Sequence, residues 1–242
     1  MNLNAYLQRT QLLLEDQTTT KFNLFDLTTY VNIARGQVCG EGECIRQYCI
    51  LLVDDTAQQY SFPSIILPNE AIGVSGIINV RMVTYSIASG RLRVTPREWE
   101  WFNNYVLSQA APLSGPPRYW SQFGQGNGGN LFVNLLDFTY TLNLDTVCFP
   151  ADLTTNADVD AIPQYWQDAV PYYAAYLAML PLVGAEQKAE KMLQLYELFV
   201  KRARQFATPS VLPHQYAQST DVTLAAKLGL RPAPSARGDE AA

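Results

Sequence analysis

Residues 25–53, FDLTTYVNIARGQVCGEGECIRQYCILLV, change their hydrophobic period part-way along, and that change sets the fold class. Over the first half Leu27, Tyr30, Val31, Ala34 and Val38 recur at three- and four-residue intervals, as on one buried face of a helix, and Asn23 is placed to cap it. Gly40 and Gly42 are expected to stop that helix. The run that follows, CIRQYCILLV over 44–53, is apolar, bounded by acids and too short for a helix, which suits a buried strand. Upstream, residues 3–15 carry Leu3, Tyr6, Leu7 and Leu12 to Leu14, an amphipathic helix opened by Asn2 or Asn4.

Downstream the strand signals continue. Tyr60 to Phe62, then IINVRMVTYSI with Ile78, Val80 and Met82 alternating against polar neighbours, predict a sheet crossed by Pro- and Gly-rich turns. Thr95, Pro96, Arg97 and Glu98 read as a capping box with Pro at the first helical position, leading into WEWFNNYVLS. PPRYWSQF, LFVN and FTYTLNL resume strand character, with Phe138, Tyr140, Leu142 and Leu144 on one face. From Pro163 a helix apolar round most of its circumference presents Trp166, Val170, Tyr173, Ala174, Leu177 and Leu180, and Pro171 should kink or restart it. A second long helix begins near residue 186, with Ala189, Met192, Leu193, Tyr196, Phe199, Val200, Ala203 and Phe206 at helical spacing. After Thr208, prolines and small residues without periodicity predict an arm disordered in isolation. The expected fold is therefore α+β. N- and C-terminal helices (1–44 and 156–207) form a helical domain, 45–155 a β-rich insertion, and 208–242 an extended C-terminal arm.

Composition narrows the function. Only 16% of the 242 residues are charged, against about 25% in an ordinary domain, and 12% are aromatic, with 14 Tyr. Depleted charge and abundant Tyr, Trp and Phe suit a surface buried against partners. No long apolar run and no signal peptide are evident, so neither a membrane nor a secreted role is expected. The net charge of −5 argues against sequence-specific nucleic-acid reading. Tyr119 to Gln187 contains no Lys or Arg, while Asp137, Asp145, Asp152, Asp158, Asp160, Asp168 and Glu186 fall within it, a solvated negative face or a wall that repels polyanions.

The chemical motifs are weak. Cys39, Cys44 and Cys49 stand five apart and Cys148 is distant, which matches no zinc or redox spacing and suits buried thiols. The single histidine, His214, lies in the Pro-punctuated tail, a poor place for a catalytic pair. GQGNGG fits GxGxxG, but a strand follows where a dinucleotide site needs a helix, so its glycines read as a hairpin loop. Asn156, Asp158 and Asp160 have calcium-loop spacing, yet Ala161 and Gln167 stand where Gly and Glu are required; the acids are expected at a helix N-terminus near Pro163. Lys201, Arg202 and Arg204 either complement the C-terminal dipole of their helix or contact a DNA backbone. No catalytic, cofactor-binding or metal-ligating residue is assigned.

FDLTTYVNIARGQVCGEGECIR, RYWSQFGQG, DTVCFPADLTTNADVDAIPQYW and DAVPYYAAYLAML together resemble the head-to-tail adaptor (connector) proteins of tailed bacteriophages, especially short-tailed ones, over roughly residues 20–207. The resemblance implies a structural virion protein without enzymatic activity or cofactor, made in the host cytoplasm and placed at the neck of the particle. It implies a homo-oligomeric ring of about twelve copies, a dodecamer, that docks below the portal protein, extends the channel for double-stranded DNA and seats the next tail or nozzle protein. The arm then reaches the portal through Pro209, Leu212, Pro213, Tyr216, Leu224, Leu228, Leu230 and Pro232. Two rival readings are a virion-associated cell-wall hydrolase using paired carboxylates and a small soluble binding module.

Overall fold

A computed structural model describes residues 1–207 except 17, 19, 69–72, 89 and 109–113. Residues 208–242, and with them the arm positions Pro209, Leu212, Pro213, Tyr216, Leu224, Leu228, Leu230 and Pro232, lie outside the described residues, as does His214.

Helix α1 (Leu3–Leu14) is capped by the Asn2 side chain, which accepts the Ala5 N–H at 3.0 Å. Helix α2 (Leu24–Gly42) is capped in the same way by Asn23, which accepts from Phe25 at 2.9 Å. Helix α2 ends at Gly42, where the glycines are expected to stop it, but neither glycine makes the terminating turn. Glu43 does, turning left-handed (φ 47°) as its N–H closes on the Cys39 carbonyl at 2.9 Å. Gly42 serves packing instead, because a Cβ there would collide with the ring of Trp166, and the glycine lets that indole cross the helix.

The first sheet has strand order β1-β8-β3-β4, with β1 Arg46–Val53, β3 Val74–Ile87, β4 Gly90–Arg93 and β8 Tyr140–Pro150, all antiparallel. The second has order β2-β7-β6-β5, with β2 Gln59–Ser61, β5 Thr95–Pro96, β6 Tyr119–Phe123 and β7 Asn130–Val133; only β5 and β6 run parallel. GQGNGG is the β6–β7 hairpin loop, with Gly124 and Gly126 at φ 78° and 59°.

Four expectations change here. Strand β1 is half-buried rather than buried: Cys49, Leu51 and Val53 face the core while Tyr48, Ile50 and Leu52 face solvent. In β3 the alternation slips at three register shifts against β8, so the buried set is Ile77, Ile78, Val80, Val83 and Tyr85 rather than a single Ile78–Val80–Met82 row. In β8, Leu142 and Leu144 are buried as expected, but Phe138 precedes the strand and is exposed. The largest change is at Thr95–Glu98. The Thr95 and Arg97 N–H groups donate to Arg118 and Trp120 carbonyls, both at 2.8 Å, so sheet pairing takes the backbone that a capping box would use. Helix α3 (Trp99–Phe102) starts later, without a side-chain cap, and widens into a π-turn over Asn103–Leu107. Trp99 fastens it to the second sheet, 4.4 Å from Phe132 and 5.0 Å from Phe123 between ring centroids.

After β8, helix α4 (Gln164–Gln167) breaks and α5 (Val170–Met179) restarts with Pro171 in its first turn, where the missing N–H costs nothing. Its buried face is largely small, Val170, Pro171, Ala174, Ala175, Ala178 and Met179, whereas Leu180 is exposed. Small residues let α1 and α2 approach α5 closely. Helix α6 (Glu186–Ala207) buries Ala189, Met192, Tyr196, Val200 and Ala203 on one stripe. The architecture is thus mixed helix and sheet. One apolar cluster runs from Tyr6, Val31 and Val38 through Cys49, Leu51 and Leu144 to Trp120 and Val133, so helices and both sheets share a core.

Candidate functional site

The most constrained polar site is the buried pair Arg35–Asp160. Arg35 stands on the apolar stripe of α2 between Val31 and Val38 and is fully buried. Its Nε and one terminal nitrogen donate to Asp160 Oδ1 at 3.3 and 2.9 Å; the other terminal nitrogen donates to Asn32 Oδ1 at 3.1 Å and to the Ala151 carbonyl at 2.7 Å. Asp160 Oδ1 also accepts the Ile162 N–H, and Oδ2 accepts the Tyr6 hydroxyl at 2.5 Å. Burial, reinforced by the Asp160 carboxylate, pushes the Tyr6 phenol well above its ordinary range, so it stays a donor. Asn32 exchanges two hydrogen bonds with the Leu153 backbone, at 3.1 and 3.0 Å. Together these bonds fasten the 151–162 segment to α1 and α2.

Asp160 is therefore an internal counter-ion and not a helix-terminus charge, because a buried guanidinium needs a carboxylate more than α4 needs a dipole partner. Asp158 closes a turn of its own. It accepts the Thr155 and Thr154 N–H groups at 2.7 and 2.6 Å and both threonine hydroxyls at 3.0 Å, bonds that hold its carboxyl down to about 2. The Lys- and Arg-free span is accordingly no continuous negative wall. Asp145 pairs with Arg46, Asp160 with Arg35 and Asp168 with Arg9, each base coming from outside the span. Asp137, Asp152, Asp158 and Glu186 remain without an ion-pair partner among the described residues.

The cysteines gather where α2 meets the first sheet. Cys39 and Cys44 Sγ atoms lie 3.5 Å apart, and Thr146 Oγ1 lies 3.1 Å from Cys49 and 3.5 Å from Cys148. The Cys44 contact and burial raise the Cys39 thiol far above its usual range, as expected of a packed thiol. Among the described residues no group of three or more His, Cys, Asp or Glu side chains is arranged to hold a metal ion, and no helix is long and apolar enough to cross a membrane.

Lys201, Arg202 and Arg204 stand exposed in the last turns of α6, with the Arg202 guanidinium 5.9 Å from the Phe199 ring centroid. One pocket of about 260 Å³ between α5 and α6 holds two carboxylates, Glu186 and Glu190. Its own backbone N–H and that of Gly184 hold Glu186 below the ordinary carboxylate range, the reverse of what a general acid needs. Sequence reasoning missed Arg35, whose signal was a lone charge on an apolar helical stripe. It also missed the solvent-facing apolar row Tyr48, Ile50 and Leu52, visible only as strict alternation within a run read as uniformly apolar.

A fold that shares one core between helices and two sheets, fixes its loops by internal ion pairs and leaves apolar side chains in rows on its surface describes a structural component for assembly. The family model for the SU10 adaptor protein matches residues 1–222, and the chain belongs to that family. No curated protein matches it. The chain is thus a structural adaptor of tailed bacteriophages and a component of the virion.

Proposed function

We propose that the chain is a subunit of a closed homo-oligomeric ring, in which residues 1–44 and 156–207 act as a helical region and residues 45–155 as a β-rich one. The ring docks below the portal, continues the DNA channel and seats the tail, and the arm 208–242 makes the portal contact. A short-tailed particle belongs to the same proposal. The adaptor family match over residues 1–222 carries this reading, and the low charge and exposed apolar rows support it. Lys201, Arg202 and Arg204 serve as sequence-independent contacts to passing double-stranded DNA.

The test is the mass of the purified chain by light scattering, alone and mixed with the portal ring of the same virion. Joining that ring in many copies is the expected result; remaining a monomer in both mixtures refutes the ring. A chain ending at residue 207 is expected to fold but to lose portal attachment, and unchanged attachment refutes the role of the arm.

A further inference from the structure

The first sheet has one covered face and one open face. On the open face the register lines up Ile50, Asn143, Thr84 and Arg93 across all four strands, with Tyr48, Asp145 and Met82 in the next row; Thr84 itself is buried, its Oγ1 3.4 Å from the Tyr48 hydroxyl. Leu52 pairs with Thr141, and Ser86 with Arg91, on the other side. The β1 edge of this face is apolar: Leu52, Ile50 and Tyr48 are 61%, 44% and 41% exposed, and Ile66, bridged to Ile50 by two backbone bonds, is 60% exposed. The β4 edge is cationic. Arg91 donates to the Tyr48 hydroxyl at 2.6 Å with its guanidinium 5.1 Å from that ring, which pre-organises it. Arg46 and Arg81 pair with Asp145 and Glu43, but among the described residues neither Arg91 nor Arg93 has a carboxylate within 4.0 Å.

The complementary surface is on the same chain and out of the same subunit's reach. The 151–165 segment carries Asp152 and Asp158 without a base of its own, beside Val159 and Tyr165, which are 57% and 68% exposed. From Asn143, which shares a cross-strand row with Arg93 through Thr84, to the end of β8 at Pro150 is seven residues, about 23 Å, far beyond an arginine side chain. Stacking two open faces on each other would leave the guanidinium groups facing apolar residues or one another. Placing the open face on a neighbour's 151–165 segment pairs base with acid and apolar with apolar. Such a contact joins two different patches, the head-to-tail kind that closes into rings.

We propose that the open face of the first sheet docks on the 151–165 segment of a second copy of the chain, Arg91 and Arg93 meeting Asp152 and Asp158 while Tyr48, Ile50, Leu52 and Ile66 cover Val159 and Tyr165. The inference rests on the ring reading and names its subunit contact.

The full-length chain is assembled alone and on the portal ring, and mass is followed against protein concentration. R91E/R93E is expected to raise the assembly midpoint at least tenfold, and adding D152R in the same chain to recover some of the loss. Assembly of R91E/R93E at the wild-type midpoint, or no recovery with D152R, overturns the contact while leaving the ring standing. A wild-type chain that stays monomeric in both conditions overturns the ring, and the contact with it. Because charge reversal can damage folding, L52C and V159C chains in a Cys44→Ser background are also mixed under mild oxidation. The expected result is a cross-linked L52C–V159C dimer that neither variant gives alone, and its absence in an assembled ring overturns the contact.

Discussion

Removing the charge of Asp160 should be among the most damaging conservative changes in this chain. Asp160→Asn keeps the size of the side chain and one acceptor oxygen, which can still take the Ile162 N–H while the amide NH2 replaces the oxygen that faces Tyr6, so the principal loss is the counter-ion of a fully buried Arg35. The guanidinium keeps Asn32 and the Ala151 carbonyl but gives up two charge-assisted bonds. Stranding one partner of a buried pair costs about 3–5 kcal/mol. For a unit of this size that is a fall in Tm of roughly 10 °C, since 1 kcal/mol corresponds to about 2–4 °C. Arg35→Met removes the cation instead. Met also suits the surrounding apolar stripe, so R35M/D160N should lie closer to wild type than the sum of the two single variants, with a coupling of about 2 kcal/mol or more. Urea unfolding followed by tryptophan fluorescence and circular dichroism measures all four corners of the cycle. A loss under about 1 kcal/mol for Asp160→Asn, or additive single effects, would refute the claim that this pair fastens the 151–162 segment.

Gly42→Ala should cost about 1–3 kcal/mol through collision with Trp166, whereas Gly36→Ala and Gly40→Ala, which meet open space in the same helix, should each stabilise by about 0.5–1 kcal/mol; equal effects at the three positions in urea unfolding would contradict the packing. Burial pushes the Asp16 carboxyl up, but this is outweighed by the Phe22, Lys21 and Thr20 N–H groups and the Thr20 hydroxyl, which bring it down to about 2. A depressed folded pKa stabilises above the unfolded value near 3.8 and loses that stabilisation as pH falls towards 2, so Asp16→Asn should flatten the stability profile between about pH 4 and 2 and leave its shape above pH 5 unchanged. In the folded chain an aromatic disulfide reagent should modify Cys44 first, because Cys39, Cys49 and Cys148 are buried, and peptide mapping after a short pulse would show the order.

What was legible in the sequence was whatever a local period or cap decides. Asn2 and Asn23 cap their helices, the α6 stripe from Ala189 to Ala203 is buried, and GQGNGG is a hairpin, because each depends on residues within a turn or two. Thr95–Glu98 failed for the converse reason. The local cap and the pairing with Arg118 and Trp120 compete for one backbone, and the competitor lies more than twenty residues away. Gly42 reads locally as a stop, yet its reason is an indole 124 positions further on. Arg35 and Asp160, 125 residues apart, could be joined only by the fold. Of the candidate site, the basic turn at Lys201 and Arg202 was legible as sequence, while the open sheet face required the register of four strands.

The sparse charge of the chain gains a meaning from how it is placed. Arg9, Arg35, Arg46, Arg81 and Lys188 are each tied to an acid of the same chain, in every case across elements distant in sequence. The exposed pairs among these are individually worth under about 1 kcal/mol, so their larger effect is to remove bare charge from the surface. Arg91 and Arg93 on one face and Asp152 and Asp158 on another are among the charges that keep no ion-pair partner among the described residues, and in the proposed contact they set the direction of assembly. Attraction between exposed charges acts over about 8 Å at physiological salt, enough to select the facing surfaces before the apolar rows touch. Assembly through the proposed contact should therefore slow as ionic strength rises.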